Sequence, residues 1–242
     1  MRPSPLPAQQ LPRHVAVIMD GNGRWATGRG QSRSEGHRQG AKTVRMAVTR
    51  ARELGIGILT LYAFSSQNWA RPGDEVESLM SLLVEFCESE RNLLLDKQIR
   101  FRVIGERSRL PEVVLAAVEA LEQVTASNEA MQLVVAVSYG GREELVAAAQ
   151  SLAREVAAGR LTPEQVTADS FRAHLWTGDL PDPDLVIRTS GEVRISNFLL
   201  WQSAYAEFVI EPIAWPDWTE ADFDSCLVQF AGRDRRYGGV AP

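Results

Sequence analysis

Three short stretches of this chain are almost unbroken in apolar character: VAVIM at 15–19, ILTLYAF at 58–64 and LVVAV at 133–137. A strand with one face in water alternates polar and apolar side chains. Unbroken runs therefore belong to strands covered on both faces, the situation in a parallel sheet sandwiched between helices. Six segments read as strands on this basis or from β-rich composition: 14–19, 57–64, 100–104, 132–139, 185–189 and 208–211.

Helical patterns separate them. Residues 40–54 place Val44, Ala47, Val48, Ala51 and Leu54 on one face and stop before Gly55. Residues 74–95 open with Asp74 and Glu77 at capping-box spacing and carry a wide apolar stripe. Further helices are expected over 111–127, 143–158 and 219–232, with Thr162, Pro163 and Gln165 reading as N-cap, first helical position and box partner. Strand and helix alternate without a linker, repeat or composition break. The expectation is one α/β domain over 14–242, with a central, mainly parallel six-stranded sheet flanked by helices. Residues 1–13, with proline at 3, 5, 7 and 12, read as a disordered lead-in with no signal-peptide core.

Two cysteines, Cys87 and Cys226, are too few and too far apart for a disulfide framework or zinc site, and no apolar run is long enough to span a bilayer. A cytoplasmic protein is expected. The net charge of −5 argues against general nucleic-acid binding. Of 26 basic residues only Lys42 and Lys97 are lysine. A GC-rich genome accounts for that bias, but not for the placement of Arg24, Arg29, Arg33 and Arg38 in one glycine-rich stretch and of Arg188 and Arg194 in another. Guanidinium forks match phosphate oxygens, so a small phosphorylated ligand is expected.

In open α/β sheets ligands sit beyond the carboxyl ends of the strands. The segment after the first strand is Asp20-Gly21-Asn22-Gly23-Arg24-Trp25, followed by Arg33, Gly36 and His37. Glycines there let backbone amides approach an anion, and Asp20 is suited to a divalent cation bridging phosphate oxygens; a purely structural glycine turn is the alternative. The same stretch formally matches a dinucleotide fingerprint, but no acid follows about twenty residues on. After the second strand come Ser65, Asn68, Trp69 and Arg71; the alternative is a capping loop with a surface arginine. After the fifth come Arg188, Arg194 and Ser196, a set able to clamp a diphosphate. Glu207 enters an apolar strand, where an ion pair with an arginine is the ordinary role. The arginines near 233–236 read as a solvated tail, and His14 and His174 as structural.

Taken together and in order, HVAVIMDGNGRWA, GH at 36–37, LYAFSSQNWARP, YGGR at 139–142, DLVIRTSGEVRISNFLLWQSAYAEF and the terminal RRYGG resemble the undecaprenyl diphosphate synthase family, the cis-prenyltransferases. The resemblance implies head-to-tail addition of isopentenyl diphosphate to an allylic diphosphate, with Mg²⁺ as cofactor and a homodimer as the assembly. It gives Asp20, Asn68 and Arg71 catalytic roles. It gives Gly21, Asn22, Gly23, Arg24, Trp25, Arg33, His37, Ser65 and Trp69 to the allylic diphosphate. Arg188, Arg194, Ser196, Arg236 and Gly238 go to isopentenyl diphosphate, and Asp20 and Glu207 to the metal, Glu207 acting across the dimer interface. A long product such as undecaprenyl diphosphate is expected, lined by the stripe of 74–95 with Ala63 and Val135. Its release implies peripheral membrane contact. A short- or medium-chain synthase and a non-catalytic partner subunit are the alternatives. Gln67, Ser138 and Val193 depart from the residues usual in the family.

Overall fold

The structure, a computed structural model, describes residues 3–233. Its six strands are β1 (His14–Ile18), β2 (Ile58–Ser65), β3 (Ile99–Ile104), β4 (Met131–Tyr139), β5 (Leu185–Arg188) and β6 (Glu207–Ile210). They form a single sheet in the order β3-β4-β2-β1-β5-β6, and every pairing is parallel. The expected α/β architecture with a central parallel sheet is therefore present. β1 is buried at all five positions and β4 at all but Gln132, which is why both read as unbroken apolar runs.

The helices are α1 (Asn22–Thr27), α2 (Arg33–Leu54), α3 (Gly73–Ser89), α4 (Arg91–Asp96), α5 (Glu112–Thr125), α6 (Gly141–Ala157), α7 (Ala168–Ala173) and α8 (Glu220–Ala231). Side chains of α2, α3, α5 and α8 fill the larger core on one face of the sheet. A smaller core on the other face gathers Tyr139, Leu180, Phe198 and Leu199. Local chemistry sets the ends of the helices. Ser32 caps α2 by accepting from the Glu35 amide, and Gly55 closes it at φ 81°, a left-handed conformation that glycine adopts without strain. Thr219 and Asp222 form a capping box on α8.

Several boundaries differ from expectation. α2 begins at Arg33 and not at 40, because its first two turns face a polar pocket and show no apolar period. The helix expected over 74–95 is two helices broken at Glu90, and its start, with Pro72 at the N-cap, has no side-chain cap in place of the expected box. Thr162 and Gln165 do form their box, on a 3-10 turn. Within the lead-in expected to be disordered, Ala8–Gln10 make a 3-10 turn and Leu6 and Leu11 lie against the larger core.

The β2–β4 ladder slips twice. Tyr62 pairs with Ala136 and Phe64 with Val137, so Ala63 is an extra residue in β2. Ser65 then pairs with Tyr139, so Ser138 (φ 51°) is extra in β4. The two bulges cancel, and they stand where the sheet meets the pocket described below.

At the opposite, amino end of the sheet His14 is 2% exposed. Its Nδ1 donates to the Pro181 carbonyl at 2.8 Å, and its Nε2 accepts from the Thr60 hydroxyl at 2.7 Å. Burial lowers its pKa from 6.5 to about 4, against the Pro181 hydrogen bond and the Asp184 charge, which pull the other way. The neutral ring thus stabilises the fold fully above pH 6.5, and this contribution drains away as pH falls towards 4, because the unfolded chain takes the proton first. The loss is about 3 kcal/mol in all. Thermal melts at pH 7 and pH 5 should show a smaller drop for His14→Gln than for the native chain; equal drops would remove His14 as the cause.

Candidate active site

Parallel register lines up Tyr62, Ile18 and Arg188 on adjacent strands, so the loops leaving β2, β1 and β5 emerge side by side. Asp20 lies two residues beyond Ile18. Thr189, wholly buried, clasps its backbone: the Thr189 hydroxyl accepts from the Asp20 amide at 2.9 Å and donates to the Asp20 carbonyl at 2.8 Å. With the main chain fixed, the Asp20 carboxylate accepts from Arg188 Nη2 at 2.8 Å and from the Gly21 amide at 2.7 Å, and Arg24 stands 3.2 Å away. Burial alone would raise this carboxyl. The Arg188 hydrogen bond, the Gly21 amide and the Arg188 and Arg24 charges outweigh it and hold the group below its ordinary range. Arg188 is 4% exposed, and it also donates to Ser196 Oγ at 2.7 Å and to the Arg194 carbonyl.

Two hollows meet at Asp20. The smaller, about 120 Å³, is lined by Asp20, Gly21, Asn22, Gly23, Arg24, Arg33, His37 and Arg71. A side chain at Gly23 would run into the Arg33 guanidinium, 2.9 Å from where its Cβ would stand. The larger, about 640 Å³, shares Asp20, Asn22, His37 and Arg71 with the first and adds Ser65, Asn68, Arg188, Arg194 and Ser196 at its polar rim. Its depths are apolar: Leu79, Met80, Leu82, Leu83 and Phe86 from α3, Ala63 and Phe64 from β2, Val135 and Val137 from β4. The Arg188 Nε and Asn22 Oδ1 atoms on its wall are buried and find no hydrogen-bond partner among the described residues. Backbone geometry around the rim is strained at Ser190, Ser196, Asn197 and Leu199, all with positive φ; such conformations persist where the surroundings hold them, often at functional sites. Asn197 is one anchor, its Oδ1 accepting from the Arg142 amide and its Nδ2 donating to Glu143.

Most of the residues singled out in the sequence thus surround the two hollows. Trp25 does not: its Nε1 donates to Asp217 at 2.7 Å and Arg29 lies over its ring. Trp69 stands behind the wall, donating to Ser138 Oγ at 2.9 Å and packing edge-on to Phe64. Glu207 opens β6 opposite Leu185, at the amino end of the sheet, where Arg233 pairs with it at 2.8 Å; within one chain it is not brought to Asp20. Arg236 and Gly238 lie outside the described residues. Sequence reasoning missed Glu75 and Glu192. Glu75 is 7% exposed and binds Arg33 and Arg71. Glu192 bridges Arg24 and Arg194. Both sit beside arginines in sequence or pocket, but acidic residues are common at helix starts and in loops, so neither stood out.

Arg24, Arg33 and Arg71 around the smaller hollow, with Arg188 and Arg194 at the rim of the larger, make a receptor for phosphate oxygens. No group of three or more His, Cys, Asp or Glu among the described residues forms a metal cage. One carboxylate beside an anion pocket is nevertheless the donor set that suits Mg²⁺, which usually binds through one or two carboxylates plus substrate phosphates. Asp20 fits that description.

Comparison with known proteins gives the same direction. The family profile described as putative undecaprenyl diphosphate synthase matches residues 18–238. The isoprenyl transferase of Brucella abortus is 50% identical over 231 residues, 96% of this chain and 91% of that one. Isoprenyl transferase 2 of Bradyrhizobium diazoefficiens is 49% identical over 95% of this chain and 91% of its own. Among solved structures, lavandulyl diphosphate synthase from Lavandula x intermedia, in complex with dimethylallyl diphosphate, superposes with a TM-score of 0.93 at 40% identity, covering 95% of this chain and 99% of that one. A probable undecaprenyl diphosphate synthase from Campylobacter jejuni does so with a TM-score of 0.77 at 32% identity, covering 94% and 98%. The likeness in sequence and fold runs along nearly the whole chain, and the chain belongs to the undecaprenyl diphosphate synthase family of prenyltransferases.

Proposed function

We propose that this prenyltransferase condenses isopentenyl diphosphate onto an allylic diphosphate such as farnesyl or geranyl diphosphate, each new double bond being cis, and that the product is a long polyprenyl diphosphate of the undecaprenyl type, serving as cell-wall carrier lipid. The observation that carries the reading is the junction of two cationic pockets at Asp20, on the rim of one apolar cavity. Gly21–Arg24, Arg33, His37, Ser65 and Arg71 hold the allylic diphosphate, and Asn68 stands at the reacting centre. Arg188, Arg194 and Ser196, with Arg236 and Gly238, hold isopentenyl diphosphate. Asp20 would hold Mg²⁺ against the diphosphate oxygens, where the ion supplies charge neutralisation. The arginines and amides aimed at the allylic diphosphate stabilise it as its C–O bond breaks and takes the electron pair; removing one such donor typically costs about 3–4 kcal/mol. The isopentenyl double bond supplies the pair for the new C–C bond, and a proton leaves the adjacent carbon, with the departed diphosphate as its acceptor.

The cavity beneath suits a growing tail, since each buried five-carbon unit is worth roughly 4 kcal/mol. Ala63, small and exposed into that cavity, leaves room for it. A short-chain product is the second reading, supported by the likeness to lavandulyl diphosphate synthase. A homodimer is supported by the exposed Trp201, Tyr205 and Phe208, close in sequence to Glu207, which would act across such an interface. No helix among the described residues is long and apolar enough to cross a membrane; peripheral contact for product release remains part of the proposal. The test supplies isopentenyl diphosphate and farnesyl diphosphate with Mg²⁺ and reads product mass and double-bond geometry. A ladder of cis products is expected, cut short in Ala63→Leu; a single condensation in the native chain would favour the second reading, and an unaltered ladder in the variant would remove the wall assignment.

A further inference from the structure

We infer that Glu75 is a positioning residue of the allylic pocket, holding Arg33 and Arg71 as one set beside His37; this rests on the diphosphate reading above. Glu75 lies in the first turn of α3 and is 7% exposed, while the two arginines it binds, Arg33 half exposed and Arg71 partly buried, line the small hollow. Its Oε2 accepts from Arg33 Nε at 3.0 Å and its Oε1 from Arg71 Nη1 at 2.7 Å, with His37 Nε2 at 3.5 Å from the same oxygen.

The atoms it uses are informative. Glu75 takes the Nε edge of Arg33, leaving both terminal nitrogens at Gly23, whose missing side chain opens the small hollow. A guanidinium carries five donors, so one carboxylate contact fixes the group and leaves the rest for phosphate oxygens. Three chain segments meet on this carboxylate: the start of α2, the loop after β2, and α3. Because α3 also supplies the apolar wall, Glu75 ties the position of the anion pocket to the position of the tail cavity. The Arg71 and Arg33 charges outweigh burial and hold its carboxyl below the ordinary range, so it carries its charge throughout the physiological pH range, while burial and the Arg71 charge push the His37 pKa down and favour its neutral ring.

A carboxylate buried just behind the arginines of an anion pocket opposes ground-state binding while ordering the donors. Losing it therefore separates affinity from turnover. In Glu75→Gln we expect kcat to fall roughly 10–100-fold through misplaced donors. Inorganic diphosphate, titrated calorimetrically, should bind as tightly or up to ~5-fold more tightly, since one screened negative charge is gone. Glu75→Asp, which retains the charge, should recover part of kcat. An unchanged kcat in Glu75→Gln overturns the inference. So does a parallel loss of kcat and diphosphate affinity, or a collapse of the melting temperature in both variants, since either marks a merely structural role. Failure of the native chain itself to bind diphosphate or transfer a prenyl group would instead defeat the underlying reading.

Discussion

Asp20→Ala is expected to lower prenyl transfer by at least roughly 10²–10³-fold while leaving the fold in place. The carboxylate stands where both hollows meet and takes hydrogen bonds from Arg188 and the Gly21 amide, with Arg24 in reach. Its removal deprives the site of the one oxygen donor set suited to a cation and frees two arginines to reorient. Arg188 keeps its contacts to Ser196 Oγ and the Arg194 carbonyl, so the buried guanidinium does not lose every partner. Incorporation of radiolabelled isopentenyl diphosphate, alongside a thermal melt, checks both halves. Native-like turnover in a folded Asp20→Ala would dismantle the site as drawn. Because the carboxyl is held below its ordinary range, it is ionised well before neutrality, and a pH–rate profile between pH 6 and 9 should carry no inflection from it.

The second large effect concerns stability and lies away from the pocket. Arg50 on α2 is 1% exposed and binds Asp224 on α8 through two nitrogens, at 2.9 and 2.8 Å. Asp224→Ala takes the bidentate partner from a buried guanidinium and leaves it the Pro3 carbonyl and Glu53 at 3.8 Å, a loss of about 3 kcal/mol. For a chain of this length that is a melting point lower by about 10 °C. Replacing both residues together, as Arg50→Met with Asp224→Leu, should recover most of the loss, because apolar side chains of similar volume need no desolvation. Calorimetric scans of the two variants separate this pair from the general tolerance of the α2–α8 contact. A single variant melting with the native chain would falsify the assignment.

The sheet was legible because burial on both faces writes itself into composition; VAVIM and LVVAV admit few other readings. Helix faces turned to the core were equally plain. What resisted was the part of each element that serves the pocket. The stretch 33–39 is helical yet polar, because Arg33 and His37 face the hollow and no apolar period marks the turn. Arg188 and Arg194 stood out in the sequence by their crowding, and Arg188 also by following an apolar strand. Glu75 did not, since an acid near a helix start is explained by the helix dipole alone and its true partners come from two other segments. Trp25 and Trp69 fell within suggestive motifs, but their indole nitrogens are committed to Asp217 and Ser138, and those long-range contacts leave no trace in local spacing.

The paired slips at Ala63 and Ser138 have a steric corollary. An inserted residue in one strand reverses the parity of every side chain after it, and here it turns the neighbours Ala63 and Phe64 towards the same cavity. A second insertion in the adjoining strand restores the phase. Position 63 is thereby relieved of any ladder partner, so a bulkier side chain there would redraw the space below without disturbing the register of the sheet.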